Sequence, residues 1–417
     1  MMSKKTAIIL ILVVFLGALG ALVYFYFSLN NHPAVTSKPA STTVDVYDQF
    51  GIRPVEDNPF SATSSQEITI EPQTQPVSLD KLRQITQDPV SGYSVIEDLK
   101  NKQTDIHYIL RANGNIYESY TDSLESKRLS ITTIPKVYES NWLPDGKRLI
   151  IRYLRGNTED IDTFSVKINP ATTTLNTFEG GVDGNHLVQN INGLAINPAG
   201  DKIFYLTNNL VGANGYIDKP DGLSGKLLLK TPLTEWTVSW PKEETIALNT
   251  APAANIAGYL YFVNSKTGDF THILGGINGL TTKTNKTATE VLYSDSTGAA
   301  PKLYLYDVKS GGVKTLPWNT LPEKCLWSEA DSKIVYCAVP KSFPEGDYPD
   351  AWYQGLVNFT DDIWMINTDT MASTLVMDLE KETNNDLDIT DLKMDSKGNF
   401  LFFVNKTDLT LWSLNLK

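Results

Sequence analysis

Short apolar strands separated by polar turns recur along residues 80–417. Residues 141–151 contain an apolar strand, a Pro-Asp-Gly turn and a second apolar strand, and residues 195–205 place Pro and Gly at the same turn positions. The first apolar residues after these turns are Leu149, Ile203, Ile246, Val291, Ile334 and Phe400. Their spacings are 54, 43, 45, 43 and 66 residues. A base period of 43–45 residues indicates a repeat protein.

A second hairpin follows each strand pair, often with Gly in its turn, as in residues 258–269 and 302–316. Four short strands per unit are typical of a propeller blade. An earlier unit at residues 90–131 raises the count from six to seven, or about 48 residues per blade. We therefore predict an all-β, seven-bladed β-propeller over residues 79–417, with six or eight blades, or a β-sandwich, as alternatives.

The last unit stops after its third strand, at residues 410–414, and so leaves a sheet edge unpaired. Residues 82–86, Leu-Arg-Gln-Ile-Thr, have the pattern of a strand that could pair with this edge. We predict that this amino-terminal strand completes the last blade and closes the ring.

The amino-terminal segment has the pattern of a membrane anchor. From Thr6 to Phe27, 22 residues carry no charge, and a helix of this length spans about 33 Å, enough for a hydrocarbon core of about 30 Å. Lys4 and Lys5 precede it and no charge follows until Lys38, which predicts a cytoplasmic amino terminus and an extracytoplasmic remainder. Residues 1–29 are therefore assigned as a short cytoplasmic tip followed by a single transmembrane helix. A cleaved signal peptide is the alternative, because small residues lie within the segment.

Residues 30–78 are rich in Ser, Thr, Pro, Asn and Gln and carry few large apolar side chains. Such a segment buries too little surface to offset the entropy lost on ordering. We predict a low-complexity, flexible extracytoplasmic stalk between the membrane helix and the propeller.

Composition and motifs limit the partners and catalytic sites that the sequence predicts. With 36 Lys and Arg against 48 Asp and Glu, the net charge is −12, and without a basic run a nucleic-acid partner is not expected. No Gly-x-Ser-x-Gly nucleophile motif is present, and the four histidines are scattered without zinc-ligand spacing. We therefore assign no catalytic residue, cofactor or metal site from sequence.

Cys325 and Cys337 are the only cysteines and flank one predicted hairpin. An oxidising compartment would favour a cross-link between them, provided that the strand register places them opposite each other. A disulfide and two buried free thiols remain alternatives.

Two long segments interrupt the repeat. The 66-residue spacing contains an insertion at residues 340–362 between the second and third strands of the sixth blade, and the third blade has a Gly-rich segment at 207–225 that we interpret as the same connection. We therefore expect both segments on one face of the ring, on opposite sides of the channel mouth. Insertions in repeat proteins collect on a binding face.

The sixth-blade insertion combines aromatic and acidic residues. As candidate partner-binding residues we select Phe343, Tyr348, Trp352, Tyr353, Asp347 and Asp350, with Tyr216 from the third blade. The alternative is that these aromatic residues fold back as a structural plug over the top of the blade. Both interpretations stay open, because the pattern is compatible with burial of Trp352 and Phe359 while Tyr348 and Tyr353 face solvent.

The repeated turn, Trp or apolar-x-Pro-x-Gly, and the Leu-Tyr-x-x-Asp hairpin resemble the TolB-type, WD-repeat-like β-propeller family over roughly residues 80–417. Only Pro144-Asp145-Gly146 has the complete Pro-Asp-Gly turn. The resemblance implies a propeller and favours an interaction role, but this architecture also serves enzymes.

We therefore predict a membrane-anchored, extracytoplasmic propeller that binds another envelope protein or a peptide without catalysis. The alternative is a cell-envelope glycan-binding protein or glycan-acting enzyme. In that case aromatic rings would stack on sugars, and Asp347, Asp350, Asp361 or Asp362 would serve as acid and base.

Overall fold

The computed structural model describes residues 80–98, 103–156, 160–174 and 177–417. Among these residues, no helix has the length and apolar character needed to cross a bilayer. The predicted membrane helix and stalk, residues 1–78, lie outside the described residues.

The described chain forms seven four-stranded antiparallel sheets, one per blade. Blades 1 and 2 contain β2 (Val90–Asp98), β3 (Gln103–Leu110), β4 (Ile116–Tyr120), β5 (Ser126–Ser130), β6 (Val137–Trp142), β7 (Arg148–Leu154), β8 (Ile161–Thr174) and β9 (Thr177–His186). Blades 3 and 4 contain β10 (Ile191–Ile196), β11 (Ile203–Asn209), β12 (Gly212–Asp218), β13 (Lys226–Thr231), β14 (Trp236–Lys242), β15 (Thr245–Thr250), β16 (Ala257–Asn264) and β17 (Phe270–Asn278).

Blades 5 and 6 contain β18 (Thr281–Thr284), β19 (Glu290–Asp295), β20 (Lys302–Asp307), β21 (Val313–Asn319), β22 (Cys325–Trp327), β23 (Ile334–Pro340), β24 (Asp361–Asn367) and β25 (Ser373–Asp378). Blade 7 contains β26 (Ile389–Met394), β27 (Phe400–Asn405), β28 (Leu411–Asn415) and β1 (Leu82–Gln84). Short helices are a 3-10 turn (Pro322–Lys324), α1 (Asp350–Tyr353) and α2 (Leu379–Thr383). The predicted seven-bladed, all-β propeller is confirmed.

The turn between the first and second strands uses the same chemistry in several blades. The Asp145 carboxylate accepts the backbone N–H groups of Lys147 and Arg148 at 2.9 and 3.0 Å, and Gly146 takes the left-handed conformation that the turn requires. Asn197 and Asp395 accept backbone N–H groups in the corresponding turns of blades 3 and 7. A side-chain oxygen at this position therefore substitutes for a missing backbone acceptor.

The amino-terminal strand closes blade 7. Leu82 pairs with Leu414 and Gln84 with Trp412, so β1 lies antiparallel to β28 as its outer neighbour. Arg83 donates to the backbone carbonyls of Tyr120 and Ser123 in blade 1, at 2.5 and 2.6 Å. The pairing predicted for residues 82–86 is therefore present, and it also joins the last blade to the first.

The hydrophobic core lies between blades and is distributed around the ring. Seven clusters of buried apolar side chains each join two neighbouring blades, including Tyr93 and Phe402 between blades 1 and 7. Central strands such as β7 are buried on both faces, because each blade packs against a neighbour on either side. Each blade therefore depends on both neighbours for its core.

Strand alternation gives the ring two distinct faces. We call upper the face with the connections between second and third strands, which include 251–256 and 341–360, and lower the opposite face. In blade 3, Leu210 and Val211 alone connect β11 to β12, and the longer segment 219–225 joins β12 to β13 on the lower face. The expectation of a long upper connection at 207–225 is wrong, because Gly212 and Gly215 lie within a strand.

Cys325 and Cys337 are joined by a disulfide. They are directly opposite in the register of β22 and β23, and both are fully buried between blades 5 and 6. Of the two alternatives left open by the sequence, the structure contains the disulfide.

Candidate functional site

The sixth-blade insertion folds onto its own aromatic core on the upper face. Tyr348, Trp352 and Phe359 retain only 3%, 3% and 2% of their exposure and pack against Leu321. The rings of Trp352 and Phe359 stack at 6.2 Å, and Phe343 meets Tyr348 edge-on at 5.4 Å. Most of the aromatic surface of the loop therefore stabilises the loop itself.

Two of these placements bear directly on recognition. Tyr348, which was expected to face solvent, is buried by its packing within the insertion, and its hydroxyl donates to the Pro344 carbonyl at 2.6 Å. Tyr353 is 42% exposed at the end of α1. Of the aromatic candidates in the insertion, Tyr353 presents the most surface, and its role in binding stays a prediction.

A buried ionic cluster holds the insertion against blades 6 and 7. The Lys324 ammonium lies 2.7 Å from Asp361 and 2.6 Å from Asp388, and all three side chains are inaccessible to solvent. The Trp352 indole N–H donates to Asp388 at 2.9 Å, and the backbone N–H of Phe359 donates to the same carboxylate at 3.1 Å. The insertion is therefore anchored through its tryptophan.

Asp361 and Asp362, two of the candidate acid–base residues, lie at or next to this buried cluster. Burial raises the pKa of Asp361 to about 6, although the neighbouring Lys324 ammonium lowers it. Its carboxylate also accepts the backbone N–H of Ile389 at 2.7 Å and has no access to a substrate. Asp362, next along β24, lies 3.4 Å from Lys341. These two residues do not form an accessible carboxylate pair at the channel mouth.

Asp347 and Asp350 line a groove on the upper face, between the connection at 251–256 and the insertion. The groove has a volume of about 500 Å³. The Asp350 carboxylate accepts the backbone N–H of Ala254 at 2.6 Å and so connects its two walls. Ile256 and Leu356 flank the groove with 66% and 72% of their surface exposed. The groove thus combines exposed apolar side chains with carboxylates.

Tyr216 lies elsewhere. It belongs to β12 and stacks on Tyr205, with a ring-centroid separation of 5.4 Å. The expectation that Tyr216 rises from a loop opposite the insertion is wrong, since its segment extends β12 toward the lower face. The structure does not bring Tyr216 together with the other candidates.

The first strands of the blades surround a central channel with cavities of about 920 and 450 Å³. Lys393 lies 3.3 Å from Asp391, donates to the Tyr93 carbonyl at 2.5 Å and covers the Tyr93 ring at 4.0 Å. The Tyr93 hydroxyl in turn donates to the Asp391 carbonyl. Blades 1 and 7 therefore share a charged seam inside the channel.

Glu323 joins the insertion to the channel and was missed by sequence reasoning. It lies on the 3-10 turn between blades 5 and 6 and accepts a hydrogen bond from the Tyr353 hydroxyl. Burial raises the pKa of Glu323, and the hydrogen bond from Tyr353 opposes this shift. Residues 322–324, Pro-Glu-Lys, look like an ordinary polar connection, so no local signal marks this position.

No protein-family model matches the sequence, and no curated protein matches it. Solved structures do resemble it. One, from an analysis of two prolyl endopeptidases, is 10% identical with a TM-score of 0.50, over 80% of this chain and 49% of that chain. The β-propeller domain of the Trilobed protease from Pyrococcus furiosus is 12% identical with a TM-score of 0.48, over 79% of this chain and 97% of that chain.

TolB from Acinetobacter baumannii is 15% identical with a TM-score of 0.42, over 64% of this chain and 62% of that chain. This chain thus spans less than two thirds of the TolB chain and about half of the prolyl endopeptidase chain. The solved structures that resemble it include TolB and other propeller proteins, and at these identities the likeness concerns the fold alone.

Proposed function

We propose that this protein is a membrane-anchored, extracytoplasmic binding module whose upper face holds a segment of another envelope protein or a peptide, without catalysis. The groove between 251–256 and 341–360 carries this proposal. Its exposed Ile256 and Leu356 offer apolar contacts, while Glu345, Asp347 and Asp350 give it a negative field. The complementary partner is a segment with apolar side chains and at least one Lys or Arg.

The hydrogen bond between Ala254 and Asp350 supports this use of the groove. It joins a blade 4 connection to the blade 6 insertion, so the two walls are held together before a partner arrives. A groove with fixed walls loses less conformational entropy on binding. The aromatic core also fixes the wall formed by the insertion, because the Trp352 side chain of α1 donates a hydrogen bond to Asp388.

Cross-linking from native membranes tests the proposal with a matched pair of variants. Leu356→Asp places a charge in the groove, whereas Leu223→Asp places one on the lower face at a side chain of similar exposure. We expect a partner to be recovered with the wild type and Leu223→Asp and lost with Leu356→Asp. Recovery of the same proteins with all three chains would contradict the proposal.

Peptide binding provides a second test. A fluorescent peptide that alternates Leu and Lys should bind the full chain, and the same peptide with Glu in place of Lys should not. An apolar side chain that a partner buries at the centre of an interface typically contributes about 2 kcal/mol to binding. Leu356→Asp should therefore weaken binding by about 30-fold. Equal binding of both peptides would exclude the acidic groove as the determinant.

The membrane attachment rests on the uncharged stretch from Thr6 to Phe27 and the lysines before it. In cells, the full chain should stay in the membrane pellet after an alkaline carbonate wash, and a chain that lacks residues 1–29 should not. In cells whose outer envelope layers have been made permeable, externally added protease should digest the propeller, because we place the propeller outside the cytoplasm. Release of the full chain by carbonate would contradict the anchor.

A further inference from the structure

A second cavity deserves a separate assignment from the upper-face groove. It lies in the central channel between blades 4, 5 and 7 and has a volume of about 450 Å³, within the range of about 300–1,000 Å³ for small-molecule sites. Its lining includes five residues that carry hydroxyl groups, Thr237, Ser239, Thr282, Thr284 and Thr390. The same cavity is lined by one ammonium group, on Lys283, and by the carboxylates of Glu323 and Asp391.

Lys283 and Glu323 influence each other's charge across the cavity, but neither has a full set of hydrogen-bonding protein partners. Within the described part of the chain, Lys283 makes no hydrogen bond and lies within 4.0 Å of no carboxylate, and the Oε2 atom of Glu323 is buried without a partner. The Oε1 atom of Glu323 is occupied by the Tyr353 hydroxyl, and Asp391 is paired with Lys393. Two residues that line the same cavity therefore have, among the described residues, an ammonium group and a carboxylate oxygen without a hydrogen-bond partner.

The energetics of these groups point to a missing partner. Burial lowers the pKa of Lys283 and raises that of Glu323, because the loss of hydration outweighs the attraction between each group and the opposite charges near it. The hydroxyl of Thr284 is also buried without a hydrogen-bond partner. Buried polar groups are normally satisfied, so a molecule in the cavity would supply what the protein does not.

We infer that this cavity binds a small zwitterion of the α-amino acid type. Its carboxylate would lie against the Lys283 ammonium, and its ammonium would donate to the free Oε2 atom of Glu323. A simple anion would leave the Glu323 oxygen unpaired, and a simple cation would leave Lys283 unpaired. The hydroxyl groups of Thr282 and Thr284 provide the remaining hydrogen bonds, and the channel beyond them accommodates the side chain of the ligand.

Titration calorimetry on the full chain in detergent tests this assignment. The probes are the twenty free amino acids, each compared with the amine that lacks its carboxylate and the acid that lacks its ammonium. We expect saturable binding of at least one amino acid and a tenfold or greater loss of affinity for its amine and its acid. Absence of binding by all twenty, or equal binding of the amine or the acid, would overturn the inference.

Variants locate the site. Lys283→Met and Glu323→Gln should each weaken binding tenfold or more, and Thr284→Val, which preserves shape, should weaken it by a smaller factor. Lys333→Met removes an exposed lysine on the lower face and should leave affinity unchanged. Circular dichroism establishes that each variant is folded, and if Lys283→Met fails to fold, Glu323→Gln and Thr284→Val decide the question. Unchanged affinity in the folded cavity variants would place the ligand elsewhere and overturn the inference.

The upper-face groove and this cavity are tested by different residues. Leu356→Asp addresses the groove, and Lys283→Met addresses the cavity. Failure of the peptide-binding proposal therefore leaves the amino acid experiment fully informative.

Discussion

The ammonium group of Lys324 lies 2.7 Å from the carboxylate of Asp361, and neither side chain is accessible to solvent. A second carboxylate, that of Asp388, lies 2.6 Å from the same ammonium group and also accepts the Trp352 indole N–H. Three buried ionised groups are tolerated only while each keeps its partners. The cluster thus determines both the stability of the ring between blades 6 and 7 and the position of the insertion.

Replacement of Lys324 by Met should destabilise the protein strongly. The two carboxylates of Asp361 and Asp388 would remain buried without a counter-ion, which typically costs about 3–5 kcal/mol. Urea unfolding of the two chains measures the difference. Lys333→Met is the control, since its partner Asp369 is exposed and such pairs contribute less than about 1 kcal/mol. Similar midpoints for both variants would contradict this account.

The pKa of Asp361 predicts a pH-dependent stability. Because it is about 6 in the native state and 3.8 in an ordinary carboxyl group, the native state binds the proton more tightly. Its stabilising contribution is therefore full below about pH 4 and is lost as the pH rises through about 6, a change of about 3 kcal/mol. Unfolding free energies of the wild type and Asp361→Asn should diverge across this window. A constant difference from pH 4 to 7 would contradict the assignment.

The disulfide should stabilise the folded chain. Cys325 and Cys337 are separated by 12 positions, and closing a loop of this size typically contributes about 2–3 kcal/mol through the unfolded state. Dithiothreitol should lower the urea midpoint of the wild type but not that of a Cys325→Ala/Cys337→Ala chain. If reductant leaves the wild-type midpoint unchanged under conditions where free thiols are titrated, the bond has no role in stability.

Removal of β1 should open the ring and expose a sheet edge. A chain that begins after Thr86 lacks the partner of β28, whereas a chain that begins at Leu79 keeps it. An unpaired edge strand recruits other chains, so the shorter form should associate with increasing concentration while the longer one does not. Light scattering after size-exclusion chromatography distinguishes them. Identical behaviour of the two chains would show that β1 is dispensable.

Much of the fold follows from local patterns. Leu149, Ile203, Ile246, Val291, Ile334 and Phe400 all lie in the second strand of a blade, because the turn before each is made by residues only a few positions apart. The closing strand β1 was also predictable, since an incomplete last unit needs an external partner. The segment around Tyr216 was misread because Gly212 and Gly215 suggest a loop. A strand accepts them here because neighbouring backbone lies close to Gly212 and the side chains of Phe204 and Leu229 lie close to Gly215.

The site followed a different rule. The sequence revealed the insertion at 340–362, because the spacing between repeats is longer there. It did not reveal which of the insertion's side chains are buried and which are exposed. Tyr348, Trp352 and Tyr353 are aromatic residues in the same polar segment, and the sequence does not distinguish them. Tyr348 and Trp352 are nevertheless buried, whereas Tyr353 is exposed. Their burial depends on contacts with Leu321 and Asp388, which lie in other connections.

The sequence by itself determined the repeat, the number of blades and the strand that closes the ring, because turn chemistry and hydrophobic period act over short distances. Only the tertiary structure decided which charges meet. Lys324 contacts Asp388, and Lys283 shares a cavity with Glu323, because neighbouring blades bring side chains from separate strands and connections together. Electrostatic partners are chosen by distance in space, and no local pattern records that distance.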